Sequence, residues 1–190
     1  MKHRITIKPL AYSLALLAIT LIVSCKPSQA TAERTQALNN LETILNSKDF
    51  KIDIHTALPY TTRATTQVLN QLMRNTGNTA NRITISGYDI TFKNDSISGQ
   101  LPYYGEQQLS SASYNGNMGI VFNDKPQSFT LTKHKKRDAY IIKFNINDTE
   151  DPVETYRIII TVFSNNTADV NIIPSHRNGI SYKGQLISNE

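Results

Sequence analysis

Between Arg82 and Ile187 apolar residues recur at every second position in one short run after another, and no helical spacing separates the runs. A period of two turns alternate side chains to opposite faces of a strand, so each run describes a strand with one buried face. Ile83 and Ile85 open the series. After Gly87 the phase moves to Tyr88, Ile90 and Phe92, as a bulge at the glycine would do. Ser96 to Leu101 follows, then Met118 to Phe122 and Ser128 to Lys133 on either side of a turn at Asp124–Gln127. Tyr140, Ile142, Phe144 and Ile146 alternate cleanly, as do Tyr156, Ile158, Ile160 and Val162. Ser164-Asn-Asn-Thr leads into Ala168, Val170 and Ile172, and Gly179 to Ile187 ends the series. With one more strand upstream this makes eight or nine strands. Links this short join antiparallel neighbours and leave no room for crossover helices. The expected fold is mainly β: an antiparallel meander curled into an open, lipocalin-like barrel or folded as a sandwich, the barrel favoured because the connections run in sequence.

Upstream of this region the spacing is different. Leu38, Leu41, Ile44 and Leu45 fall on one helical face within Glu33 to Lys48, which predicts an amphipathic helix packed on the sheet. Phe50, Ile52, Ile54 and Leu58 then alternate with Lys51, Asp53 and His55, a half-buried strand ended by Pro59. Residues 61 to 81 are rich in Thr and Asn; Val68, Leu69, Leu72 and Met73 within them suit either a short helix or a packed loop.

The first 24 residues belong to another class of segment. Lys2, Arg4 and Lys8 make a basic start, Pro9 to Ser24 carries no charge, and Leu14 to Val23 is strongly apolar. This is the layout of a signal peptide, and the apolar run is too short to span a bilayer comfortably. It ends Ile22-Val23-Ser24-Cys25, which resembles the bacterial lipobox with Ile in place of the commoner Leu. Cys25 is the single cysteine, so it has no intramolecular partner, and a thiol is what diacylglycerol transfer requires. The expectation is cleavage before Cys25, acylation of its sulfur and amine (palmitate-type chains), and a flexible tether over 25–32 ahead of a single β-rich domain over 33–190. At about 0.8 kcal/mol per buried methylene, two or three chains hold a protein on a membrane permanently.

Processing also alters the charge. Of twenty basic residues, Lys2, Arg4 and Lys8 precede Cys25, whereas all fifteen acidic residues follow it. A chain beginning at Cys25 carries seventeen against fifteen, a net charge of +2 rather than +5, so the high isoelectric point is no argument for nucleic-acid binding.

Four segments occur in a familiar order: Leu101-Pro-Tyr-Tyr-Gly-Glu106, Gly119-Ile-Val-Phe122, Tyr156-Arg-Ile-Ile-Ile-Thr-Val162 and Arg177-Asn-Gly-Ile-Ser-Tyr-Lys-Gly184. Over roughly residues 36 to 187 the chain resembles a lipoprotein family of Bacteroidota catalogued as domain of unknown function 4251. Tyr104 stands where Phe is commoner, and His176 where small or polar residues are usual. The resemblance implies an exported, lipid-anchored β domain and supplies no reaction. In that bacterial group, surface lipoproteins carry an acidic cluster after the cysteine. Lys26 to Ala32 has none, which favours the periplasmic side of the envelope. Asp95-Ser96-Ile97 matches the pattern used there for O-glycosylation, which would need Ser96 exposed at a strand start.

The chemistry-bearing residues are sparse. His55, His134 and His176 are the histidines beyond the leader, no Gly-x-Ser-x-Gly turn occurs, and no His or Cys pair has metal-ligand spacing, so no catalytic residue, metal or cofactor is assigned. Asn145 to Asp151 is oxygen-rich but lacks the glycine and terminal glutamate of an EF-hand loop. The basic run Lys133-His-Lys-Lys-Arg137 suits a solvated turn or a contact with anionic headgroups. For a binding surface the candidates are Tyr103 and Tyr104, with Tyr114 and Tyr182 beside them; the competing reading makes their rings the closure of a barrel mouth. The function expected is a non-enzymatic envelope lipoprotein, held on the membrane through Cys25, that binds an envelope protein, glycan or lipid. The alternative is a carrier with a small hydrophobic ligand inside the barrel, unless Phe92, Phe122, Phe144 and Tyr156 fill it.

Overall fold

The computed structural model describes residues 29–104 and 119–188. The leader, Cys25 and Tyr114 lie outside the described residues. The chain divides into two units, Met1–Gln36 and Ala37–Glu190. Helix α1 covers Gln29–Ser47, and its described residues up to Gln36 fall in the first unit. All that follows concerns the second.

Nine strands make one antiparallel sheet: β1 (Asp49–Pro59), β2 (Ile83–Lys93), β3 (Ser96–Leu101), β4 (Ile120–Asp124), β5 (Gln127–Lys133), β6 (Ala139–Asn147), β7 (Thr155–Phe163), β8 (Thr167–Pro174) and β9 (Ile180–Ser188). A second helix, α2 (Arg63–Leu72), stands between β1 and β2, which resolves the ambiguous Thr-rich stretch in favour of helix. Pro59, expected to stop β1, is its last residue, and α1 starts four residues earlier than its apolar stripe required.

The strand order is β4-β3-β2-β1-β9-β8-β7-β6-β5. The first and last strands therefore pair at the centre, and the two free edges belong to β4 and β5, which are consecutive in the chain and separated only by Lys125-Pro126. Such an order brings the edges face to face if the sheet curls, and it does, as a half-barrel. Phe92 of β2 and Phe144 of β6 have four strands between them in the sheet, yet their rings meet edge-on at 6.1 Å. Phe122 of β4 meets Tyr156 of β7 at 6.3 Å. Across the seam the Thr149 N–H donates to the Val121 carbonyl at 2.8 Å.

The concave face is apolar by the alternation seen in sequence. Ile52, Ile54, Ile90, Ile142, Ile158, Ile160, Val170 and Ile172 are fully buried. Leu38, Leu41 and Leu45 of α1 join the same core, and Phe50 stacks on Phe92 at 4.3 Å. Water-excluding contact of this kind supplies the main driving force for folding, at about 25 cal/mol per Å² of apolar surface buried. The convex face carries cross-strand ion pairs instead, Lys51 with Asp89 and Lys183 with Asp169. The bulge expected at Gly87 is present: the glycine has φ +80°, and the pairing of β1 with β2 shifts between Ile54 and Thr56. Gly184 is required for another reason. A Cβ there would overlap the Asp53 carbonyl oxygen on the neighbouring strand.

Candidate functional site

Charged and hydroxyl side chains converge at one place, and the center of it is Arg177. The residue sits in the β8–β9 connection, and its side chain is 11% exposed. Its Nε donates to Glu154 Oε2 at 3.2 Å, one terminal nitrogen to the Gly119 carbonyl at 3.0 Å, and the other to the Tyr156 hydroxyl at 2.5 Å. The guanidinium lies 4.8 Å from the centre of the Tyr103 ring, and Asp148 Oδ2 is 4.0 Å away. Five parts of the chain meet on one cation: the residues after β3, the start of β4, the β6–β7 connection, β7 and the β8–β9 connection.

Each carboxylate has its own donors. Glu154, 2% exposed, accepts from the Ser175 N–H and hydroxyl, both at 2.6 Å, and from the His176 N–H at 3.1 Å. Burial alone would push its pKa up. The Ser175 and His176 donors, aided by the charge of Arg177, outweigh that and leave it below the ordinary glutamate value. Asp148 takes the Glu150 and Asp151 N–H groups on Oδ1, and the Tyr156 hydroxyl and Val121 N–H on Oδ2. Burial, followed by the bond to Asp148, pushes the Tyr156 hydroxyl far above its usual pKa, so it stays a neutral donor. No buried side-chain polar atom among the described residues lacks a partner. The Asn145–Asp151 loop thus spends its central carboxylate on its own backbone and on the seam. Among the described residues no group of three or more His, Cys, Asp or Glu side chains is placed to hold a metal ion.

Residue types of a nucleophilic triad are present here in the wrong order. The Ser175 hydroxyl donates to Glu154, and His176 Nδ1 lies 2.9 Å from the same oxygen. A nucleophilic serine needs its proton held by an imidazole that the acid orients from behind. Here the acid takes the serine directly.

The tyrosines offered as a surface separate into two kinds. Tyr103 and Tyr182 are corrected to the interior. Tyr182 is 1% exposed and donates to the Pro102 carbonyl at 2.8 Å; Tyr103 is 8% exposed and donates to the Asn178 carbonyl at 2.9 Å. Burial of both rings is compatible with their hydroxyls because the Pro102 and Asn178 carbonyls accept from them. Burial raises the Tyr182 pKa well above its usual value. Tyr104 is exposed, and Tyr114 lies outside the described residues. Ser96 is exposed and is the first residue of β3, the placement that glycosylation there would need. Beside it Asp95 accepts from Lys48 at 3.2 Å and Lys125 at 3.4 Å, which draw its pKa down.

Sequence reasoning did not single out Asp148, Glu154 or Arg177 as a group. Their spacing carries no motif; the four segments that carry the family resemblance meet here, through Tyr103, Gly119, Tyr156 and Arg177. A further surface feature carries a smaller, uncharged polar network, in which the Thr61 hydroxyl donates to Asn81 Oδ1 at 3.0 Å and the Ser181 hydroxyl to Asn171 Oδ1 at 2.6 Å. Tyr60, 60% exposed, borders a groove of about 390 Å³ lined with Leu58, Pro59, Thr61, Asn81 and Ser181. On α2, which follows directly, Val68 and Leu72 are exposed apolar residues four apart.

A family profile described as Domain of unknown function (DUF4251) matches residues 32–186. No curated protein and no solved structure matches the chain.

Proposed function

Since the chain belongs to the DUF4251 family, a domain of unknown function, we propose from its own geometry that it is a non-enzymatic, lipid-anchored domain of the cell envelope that binds a partner through its outer surface. The observation that carries this reading is the state of the Arg177 cluster. Acid, hydroxyl and cation do converge, which by itself would favour catalysis, but they bond to one another and to main chain: Arg177 to Gly119 and Asp148 to Val121 tie in the β4 side, and Glu154 ties in Ser175 and His176. Cys25 supplies the anchor in this reading, and the non-acidic stretch after it favours the periplasmic face.

The outer features then carry binding. Tyr60 with its groove, and Val68 and Leu72 on α2, offer aromatic and aliphatic surface beside hydrogen-bonding Asn81 and Ser181, a mixture suited to a protein or glycan. Carriage of a hydrophobic ligand inside the barrel has less support, because Phe92 and Phe144 touch across it and Phe122 and Tyr156 do the same nearer the seam.

The natural protein, bearing a photo-crosslinker at Tyr60 or Leu72, is irradiated in intact envelopes. A discrete adduct at these positions, absent when the probe replaces Lys51 on the convex sheet face, is the expected result. Loss of any discrete adduct, together with recovery of a small apolar molecule from the purified protein, overturns the reading in favour of a carrier.

A further inference from the structure

We infer that the hairpin turn Lys133–Asp138, between β5 and β6, is a docking surface for the anionic headgroups of the bilayer to which the chain is anchored. The inference rests on the lipid-anchored reading above.

The charge itself is the first observation. Lys133, Lys135, Lys136 and Arg137 stand against the single carboxylate of Asp138, a net charge of +3 in six residues, and all four cations are exposed. Among the described residues Lys133, Lys135 and Lys136 take part in no ion pair, whereas Lys48, Lys51, Lys125 and Lys183 elsewhere on the domain each hold a carboxylate. The turn is also braced. His134 Nδ1 accepts the N–H groups of Lys136 at 3.1 Å and Arg137 at 3.0 Å, and the Arg137 guanidinium lies 5.6 Å from the centre of the Phe163 ring. The hairpin tip beside it, Ser164–Asn166, is joined to it by the Ser164 N–H on the Asp138 carbonyl at 2.9 Å and carries no charge, so nothing there opposes an anionic plane.

The second observation is direction. Lys48, just past α1, lies 5.5 Å from the centre of the Phe129 ring near the start of β5. Six residues back, Glu42 neighbours the Tyr140 hydroxyl, whose pKa is pushed up to about 12 by burial first and by that carboxylate second. Tyr140 pairs with Lys133 at the other end of β5. From Ala37 onward the helix therefore runs antiparallel to β5, and its Ala37 end points the same way as the basic turn. Cys25 precedes Ala37 by twelve residues, of which those from Gln29 on are helical; even fully extended they would reach no further than about 43 Å. A domain held so close to a bilayer, with unpaired cations in the turn toward which the Ala37 end of its helix points, meets anionic headgroups with those cations. Each Lys or Arg near an anionic surface contributes about 1 kcal/mol, an attraction that fades within a Debye length.

The natural acylated protein is placed on vesicles of phosphatidylcholine alone and of phosphatidylcholine with phosphatidylglycerol in equal parts, then exposed to trypsin. Cleavage within 133–137 is read by mass against cleavage at Lys93, an exposed site at the end of β2. The expected result is cleavage about 100-fold slower on the anionic vesicles, the gap shrinking to about 5-fold in Lys135→Gln/Lys136→Gln. It should close in 1 M salt, where the Debye length falls to about 3 Å. Equal cleavage on both vesicles overturns the inference while leaving the anchor intact. Protection on neutral vesicles by inorganic phosphate alone overturns the membrane as the source of the anion. A protein that does not attach to neutral vesicles at all sinks the anchored reading, and this inference falls with its premise.

Discussion

Arg177 and the turn Lys133–Arg137 are two cationic places on this domain, and they differ in where their hydrogen-bond donors go. Arg177 gives its donors to Glu154, Gly119 and Tyr156 and is nearly sealed from water. The turn keeps its lysines in solvent with no carboxylate paired to them among the described residues. One arrangement closes the molecule and the other leaves charge available to something outside it. A basic residue in a motif-like segment is thus no guide to binding until its partners are counted. Arg177, in one of the four segments that carry the resemblance, is the structural one.

The comparison breaks first at Arg177→Ala. Removing the guanidinium leaves the buried carboxylates of Glu154 and Asp148 without a countercharge and the Tyr103 ring without its cation. The expected loss is about 3–5 kcal/mol, the usual consequence of orphaning a buried charge. Urea denaturation of the natural protein measures it. Arg177→Lys should recover little, since one ammonium cannot reach Glu154, the Gly119 carbonyl and Tyr156 together. A loss under 1 kcal/mol would mean the cluster does not hold the seam, and its acid and hydroxyl groups would again be open to a catalytic reading.

Acid sharpens the same contrast with a smaller effect. The folded-state pKa of Glu154 lies below its ordinary value of 4.5. Stability from this group is therefore fully present above pH 4.5 and drains away as pH falls through the lowered folded value. Glu154→Gln should lower stability at pH 7 by about 1–3 kcal/mol, because the amide nitrogen faces donors where an oxygen stood. It should also flatten the acid limb of the curve of urea midpoint against pH. An unchanged acid limb in the variant would locate the acid sensitivity elsewhere.

Much of the architecture could be read before the coordinates. Period-two runs gave the strands within a residue or two because a half-buried sheet leaves that trace on every strand. The Leu38, Leu41, Leu45 stripe did the same for α1. The pairing of β1 with β9, and hence the seam that closes β4 on β6, left no local trace, since alternation says which face of a strand is buried and nothing about its neighbour. The site was legible only as separate segments. Tyr103 and Tyr182 were placed with the exposed Tyr104 because an amphipathic ring suits either side. The carbonyls that accept from them belong to Pro102 and Asn178, each far away in sequence from the tyrosine it meets. Asp148 and Glu154 sat in a loop whose polar composition fits solvent equally well; their burial follows from Arg177, which reaches them across more than twenty residues.

The smallest expected effect is the one that separates the two cationic places most cleanly. Lys135→Gln/Lys136→Gln removes as much positive charge as any pair on the domain, from side chains that are exposed and hold no carboxylate among the described residues. The turn's own fastening uses backbone N–H groups of residues 136 and 137 on His134, which the substitutions leave in place. Stability in urea should move by no more than about 0.5 kcal/mol, as for surface positions without a structural partner. The same variant loses most of its dependence on anionic lipid if the turn meets the bilayer. A drop in stability comparable to that of Arg177→Ala would make these lysines structural too, and charge left in solvent on this domain would no longer point to a partner outside it.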